Sequence, residues 1–314
     1  MAGPTETLPT VPDARPGNWV DRAAPRAWRP YLRLARFDRP IGAWLLVFPC
    51  WWSLALGDLA NGKAYPDPWF LALFFAGAFV MRGAGCTYND IVDRDIDGQV
   101  ARTRGRPIPS GEVTARQAAV FMVGLSLVGL VVLLQFNATT VVLGITSLAL
   151  VAVYPFMKRL TYWPQVVLGL TFKWGALVGW TAARGELEWP ALALYVGSVF
   201  WTIGYDTIYA HQDKEDDLAL GLKSTAIRFG DATKGWLVVL YGSAVVLWAV
   251  AAALAGAGVA TAAGLAACAV CLGWQVATLD MGDPVNCLRR FKSNRLVGWL
   301  LLAGVVGDMV LQHG

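Results

Sequence analysis

Apolar residues in this chain come in repeated runs of about 20, and that length leaves few folds open. A helix rises about 1.5 Å per residue, so each run matches the roughly 30 Å hydrocarbon core of a bilayer. Spans are expected at 41–60, 68–88, 117–135, 138–157, 163–183, 190–210, 234–254, 258–279 and 295–312, which makes nine transmembrane helices. With 56% hydrophobic and only 15% charged residues, an ordinary soluble globular fold is excluded. The 15 tryptophans suit a chain with rings at membrane interfaces. Very short turns near Asn137 and at Gly256-Ala-Gly258 predict antiparallel helical hairpins.

Residues 1–30 are rich in Pro and Arg but also carry Glu6, Asp13 and Asp21, and they lack the apolar core of a secretory signal. They read as a mobile cytoplasmic arm, with residues 31–314 as the membrane domain and 31–40 as an amphipathic lead-in. The distribution of Lys and Arg sets orientation. Under the nine-span threading, 22 of the 26 basic residues fall on one side and only Lys63 and Arg184 on the other, while Arg82 and Lys173 lie within spans. The N-terminus is therefore expected inside and the C-terminus outside. The acidic residues of the arm argue against a mitochondrial presequence, so a bacterial inner membrane is the expected location and a mitochondrial inner membrane the alternative.

Chemistry concentrates where the second span ends. Asn89-Asp90-Ile-Val-Asp93-Arg-Asp95-Ile-Asp97 places four carboxylates within eight residues. Asn89, Asp93 and Asp97 are spaced i, i+4, i+8, so one helix would carry all three on one face, with Asp90 beside them. Like charges so close to a membrane call for a neutralising cation. Oxygen donors favour a hard ion, Mg²⁺ before Ca²⁺, and Mg²⁺ commonly sits between carboxylates and a substrate phosphate. The alternative is a solvated charged loop.

The end of the sixth span repeats the pattern with Asp206, Tyr209, Asp213, Glu215, Asp216 and Asp217, followed by Lys223-Ser224-Thr225. Asp213 and Asp217 are i, i+4. The two acidic loops lie four spans apart on the same expected face, as in a weak parallel duplication around one central site. Asp95, Glu215 and Asp216 fall off the shared faces. Tyr154-Pro-Phe-Met-Lys158-Arg159 closes the fourth span, where the two cations are placed either to hold diphosphate oxygens or to anchor the span. Arg82, within the second span, needs an anionic partner. Lys173 and His211 receive no role, and Cys268-Ala-Val-Cys271 reads as small apolar packing.

These residues resemble the intramembrane aromatic prenyltransferases, most closely the 4-hydroxybenzoate polyprenyltransferases of ubiquinone biosynthesis. The first signature stands as Asn89, Asp90, Asp93 and Asp97, with Arg-Pro-x-Pro-Ser-Gly at Arg106 to Gly111. The second stands as Asp206, Tyr209, Ala210, Asp213, Asp216 and Asp217, the third as Tyr154 and Lys158. Arg36-Phe-Asp38-Arg39-Pro40-Ile-Gly42 looks like the family's start, so the similarity runs from about residue 30 to the end.

The resemblance implies nine helices around a central cavity with two acidic capping loops. It also implies Mg²⁺-dependent transfer of a polyprenyl group from its diphosphate to 4-hydroxybenzoate, at the lipid bilayer. Asn89, Asp93, Asp97, Asp213 and Asp217 would hold metal. Arg82, Tyr154, Lys158, Arg159 and Lys223 would bind the diphosphate, and Arg36 or Arg39 the benzoate carboxylate. Asp90, Asp93, Asp206, Asp213 and Arg159 would be catalytic, with Asp206, Asp90 or released diphosphate taking the ring proton. Haem, a chlorophyllide or a naphthoate are alternative acceptors. A divalent-cation transporter is the rival class, but it would carry ionisable groups near the midplane of several spans, whereas the carboxylates here gather at one interface.

Overall fold

The computed structural model describes residue 14 and residues 17–100 and 102–314. Every regular element among them is helical. The long helices are α1 (Ile41–Ala60), α2 (Pro68–Val92), α3 (Ala115–Leu133), α4 (Ala138–Val153), α5 (Pro164–Phe172), α6 (Gly175–Arg184), α7 (Trp189–Ala210), α8 (Thr233–Leu254), α9 (Val259–Ala277) and α10 (Pro284–His313). Among the described residues, eight segments are long and apolar enough to cross a membrane, and Pro164–Arg184 is one of them although it breaks into α5 and α6.

The expected sixth span, 190–210, does form a helix, α7, but α7 is not one of those eight. Its 22 residues would rise about 33 Å. What lowers its apolar character is Asp206, half-buried, together with Ser198, Thr202, Tyr205 and Thr207, all buried. A helix surrounded by other helices can carry such groups, because hydroxyls bond back to the preceding turn: Thr202 Oγ1 donates to Ser198 O at 2.9 Å and Thr207 Oγ1 to Ile203 O at 2.6 Å.

The chain divides into two compact units, 1–42 with 79–129 and 43–78 with 130–314. In the first, Leu34, Val113 and Ala118 form a small core with Tyr31, Ile91, Ile108 and Phe121 packed on it. This core sits under the loop that follows the first acidic cluster. Of the expected N-terminal arm, residues 1–13, 15 and 16 lie outside the described residues. From Asn18 onward the chain is helical: Asn18 Oδ1 accepts from Val20 N at 2.9 Å and opens the short helix Trp19–Ala23. Val20 is fully buried, and Asp21 pairs with Arg33 at 2.9 Å.

In the second unit three buried tryptophans, Trp52, Trp201 and Trp248, meet with ring centroids 5.2–5.5 Å apart. Each indole N–H finds an acceptor, respectively Gly298 O, Asn294 Oδ1 and Ser198 Oγ. Helix α7 packs most extensively on α8. Gly197 and Gly204 permit that approach, since a Cβ at Gly204 would collide with the Tyr241 ring. Asp308 of α10 accepts from Gly258 N, Ala260 N and Thr261 N at 2.7–3.0 Å, capping α9 from another helix. All five cysteines are buried and free, in keeping with a packing role.

Candidate active site

Helix α2 delivers Asn89 and Asp90 but stops at Val92, so the expected continuous helix through Asp97 is interrupted. Asp93 adopts φ −95°, ψ 4°, and the short helix Arg94–Asp97 follows. The i, i+4 backbone bonds survive on both sides of the break, Asp93 N to Asn89 O at 2.9 Å and Asp97 N to Asp93 O at 2.8 Å. The spacing argument therefore holds locally: Asn89 Nδ2 donates to Asp93 Oδ2 at 3.1 Å. Asp90, Asp93 and Asp97 are buried, at 0%, 1% and 4% exposure, which rules out the solvated-loop alternative for this cluster.

Burying carboxylates requires partners. Arg36 Nη2 donates to both oxygens of Asp90, at 2.7 and 2.9 Å, and Arg106 Nη1 bridges Asp90 Oδ1 at 3.1 Å and Asp97 Oδ2 at 2.7 Å. Burial acts to lower the Arg36 pKa, but the Asp90 carboxylate outweighs it and holds the guanidinium above its ordinary value. Arg36 also sits at φ 61°, in the left-handed region, and its Nη1 bonds Arg33 O and Leu34 O. That backbone costs about 1–2 kcal/mol for a residue with a Cβ, and the ion pair holds it in place. Arg39 Nη1 pairs with the buried Asp38 at 3.1 Å; burial pushes the Asp38 carboxyl up in spite of Arg39. Arg82 is half-buried and reaches Cys86 Sγ. Gly42 makes room for it, because a Cβ there would meet Arg82 Nε at 2.5 Å.

In the second unit α7 ends at Ala210 and carries Asp206 and Tyr209. The turn His211–Asp213 follows, Asp213 sits at φ −111°, ψ 8°, and the short helix Lys214–Ala219 carries Asp217. Asp206, Asp213 and Asp217 are all half-buried, whereas Glu215 is exposed, as is Asp95 in the first cluster. His211 is buried against Thr233 at 3.1 Å; burial, helped by Lys214, pushes its imidazole down to about 4. It is neutral at ordinary pH.

The third motif and the segment after the second cluster come together. Lys223 N donates to Lys158 O at 2.9 Å, Lys223 Nζ to Leu160 O at 3.2 Å, and Thr225 N to Gln165 Oε1 at 3.1 Å. Tyr154 and Lys158 are half-buried, and Arg159 is exposed with its guanidinium 5.9 Å from the Phe156 ring. Sequence reasoning left Arg106 out of the site. Its signal was present, since it opens the Arg-Pro-x-Pro-Ser-Gly stretch directly after the acidic cluster.

Among the described residues, no three His, Cys, Asp or Glu side chains converge on one point as a preformed metal cage. The donor set still fits a hard cation in kind, being oxygen throughout. Mg²⁺ keeps several waters and binds through one or two carboxylates plus substrate phosphates, so it does not need a closed protein cage.

The UbiA prenyltransferase family matches residues 46–302, and this chain belongs to it. The chain is 52% identical over 287 residues to 4-hydroxybenzoate polyprenyltransferase, mitochondrial, of Aedes aegypti, covering 88% of this chain and 63% of that protein. It therefore spans less than two thirds of that relative's length. The proteins of the same name from Arabidopsis thaliana and Homo sapiens are 49% and 47% identical, covering 92% and 90% of this chain and 71% and 76% of theirs. Among solved structures, a UbiA homolog from Aeropyrum pernix K1 matches with TM-score 0.70 at 24% identity, over 84% of this chain and 98% of that one. A UbiA homolog from Archaeoglobus fulgidus bound to GPP and Mg²⁺ matches with TM-score 0.63 at 18% identity, over 90% and 99%. These two establish likeness of fold.

The relatives correct one expectation. The relatives at 46–52% identity are named as mitochondrial proteins, which overturns the placement in a bacterial inner membrane. The physical reason for the error is that membrane spans carry no mark of their compartment. Only the acidic residues of 1–30 spoke to it, and they do not decide.

Proposed function

We propose that this protein transfers a polyprenyl group from polyprenyl diphosphate to the ring carbon ortho to the hydroxyl of 4-hydroxybenzoate, releasing diphosphate. The observation that carries this reading is 46–52% identity to relatives that share that enzyme's name. A long isoprenoid tail is itself lipid-soluble, which suits a site at the end of membrane helices. The proposed topology has nine crossings, with α7 as the span whose apolar character is low because it is enclosed by protein, and with the N-terminal segment on the basic side.

Mg²⁺ is the proposed cofactor, as in the Archaeoglobus fulgidus homologue bound to GPP and Mg²⁺. When bound it stabilises charge on the diphosphate as the allylic C–O bond breaks. Asn89, Asp93 and Asp97 at one helix end, and Asp213 and Asp217 at the other, supply its oxygen ligands. Arg82, Lys158, Arg159, Lys223 and the Tyr154 hydroxyl bind and orient the diphosphate. The para-hydroxyl makes the ring carbon beside it electron-rich. That carbon forms the new C–C bond, and Asp206 takes the ring proton. Asp90 has no exposed surface and both its oxygens accept from guanidinium groups. Its proposed role is to orient Arg36 and Arg106, which leaves Arg39 to bind the benzoate carboxylate.

The test is purified protein in lipid with 4-hydroxybenzoate, a polyprenyl diphosphate and Mg²⁺, following prenylated product and diphosphate release. Product that requires Mg²⁺ is expected. Turnover only with another aromatic acceptor would refute the acceptor, and no turnover with any would refute the activity.

A further inference from the structure

Lys173 is fully buried, sits at the break between α5 and α6, and plays no part in the reaction described above. A charged or ionisable group at such a position is costly and needs a partner. Among the described residues no carboxylate pairs with it. Its Nζ instead donates to Leu45 O at 2.7 Å and lies 4.3 Å from the Trp201 ring centroid and 5.2 Å from that of Tyr205.

The identity of that carbonyl is informative. Helix α1 contains Pro49, four residues after Leu45. In an uninterrupted helix the N–H of residue 49 would bond Leu45 O, but proline has no N–H and its ring crowds that carbonyl. Pro49 therefore opens one acceptor at Leu45, which is 1% exposed, where an unpaired polar group is expensive. Lys173 supplies the donor. Helix α5 ends at Phe172, which lets the Lys173 side chain leave the helical path and reach α1. Trp201 and Tyr205 are i, i+4 on α7, so both rings face the same amino group.

We propose that Lys173 is a positioning residue that replaces the backbone N–H removed by Pro49, and thereby ties α1, the α5–α6 break and the aromatic face of α7 together at one point. The Asp206 end of α7 lies one residue beyond this tie, so its position along the helix axis is set there. The proposal does not depend on which acceptor the enzyme uses.

The experiment is a double-mutant cycle on the full chain in lipid nanodiscs, using Lys173→Met, Pro49→Ala, their combination, and Lys173→Gln. Lys173→Met is expected to lower the thermal unfolding midpoint by about 3–8 °C, the effect of leaving one buried acceptor unpaired. In the Pro49→Ala background the restored backbone N–H at position 49 takes over Leu45 O, so the same lysine substitution is expected to cost less than half that shift. Hydrogen exchange then shows this new amide protected. Lys173→Gln, which keeps a donor, falls between wild type and Lys173→Met. If Lys173→Met is too unstable to purify, recovery of folded protein in the double variant supports the tie, and failure to recover it refutes it. Equal loss in both backgrounds, or no loss in either, overturns the proposal, because a side chain that merely fills space is not rescued by a distant proline substitution.

Discussion

The two acidic helix ends use the same backbone device in different surroundings. Each long helix stops, an aspartate takes a bridging conformation (Asp93 at φ −95°, ψ 4° and Asp213 at φ −111°, ψ 8°), and a short helix follows with the next carboxylate. That shared geometry is what a duplicated motif would leave behind. Yet Asp90, Asp93 and Asp97 are at most 4% exposed and are stitched to Arg36 and Arg106, whereas Asp206, Asp213 and Asp217 remain half-buried. The first end thus carries part of the fold as well as its proposed chemistry. Its arginines neutralise carboxylates that could not otherwise be buried, and one of them holds the chain in a left-handed turn to do so. The second end leaves its carboxylates partly exposed, at less cost to folding.

The largest effect expected from this contrast is at Asp90. Asp90→Asn leaves the buried Arg36 without its counter-charge and Arg106 with Asp97 alone, and breaking a buried pair in this way costs about 3–5 kcal/mol. Thermal unfolding in nanodiscs should show a large drop, with activity falling alongside folded protein; an unchanged midpoint would break the comparison. Asp213→Asn should behave in the opposite manner. Its midpoint stays within about 1 °C of wild type, as for partly exposed positions, while kcat/KM falls about a hundredfold or more through lost charge stabilisation. If Asp213→Asn unfolds the protein instead, the two ends are equally structural.

A smaller effect separates the roles within the first end. Arg106→Gln removes the bridge between Asp90 and Asp97 but leaves the Arg36 pair, so about 1–3 kcal/mol is expected from the same unfolding measurement. A cost equal to that of Asp90→Asn would mean that Arg106, not Arg36, is the principal counter-ion.

Much of this was legible from local spacing. The i, i+4 relation of Asn89 and Asp93 needs only helical geometry, and it reappears as a side-chain hydrogen bond. The apolar runs located the spans because lipid imposes a length. What escaped depends on distance along the chain. Arg36 meets Asp90 across 54 residues and Lys173 meets Leu45 across 128, and no pattern in one sequence reports such pairs. Helix α7 blurs hydropathy for a related reason: it is judged by lipid's standard but packed against protein. The helix break at Asp93 also went unseen, since the residues around it are compatible with helix.

The smallest effect tests whether burial, rather than the arginine–carboxylate pair itself, makes the first end matter. Arg184 and Glu188 offer the same chemistry on the other expected face, paired at 2.9 Å but with side chains 29% and 31% exposed. Glu188 also accepts from Trp180 Nε1 at 2.8 Å. The hydrogen bond from Arg184 lowers the Glu188 carboxyl below its ordinary 4.5. A carboxylate depressed on folding contributes stability above its unfolded pKa and loses it as pH falls through the folded value. Glu188→Gln should therefore cost only about 0.2–1 kcal/mol at neutral pH, and the gap to wild type should close below pH 4.5. The unfolding midpoints of both proteins across pH 3–7 check this. A cost comparable to that of Asp90→Asn would show that exposure does not discount the pair, and the contrast drawn between the two acidic ends would lose its physical basis.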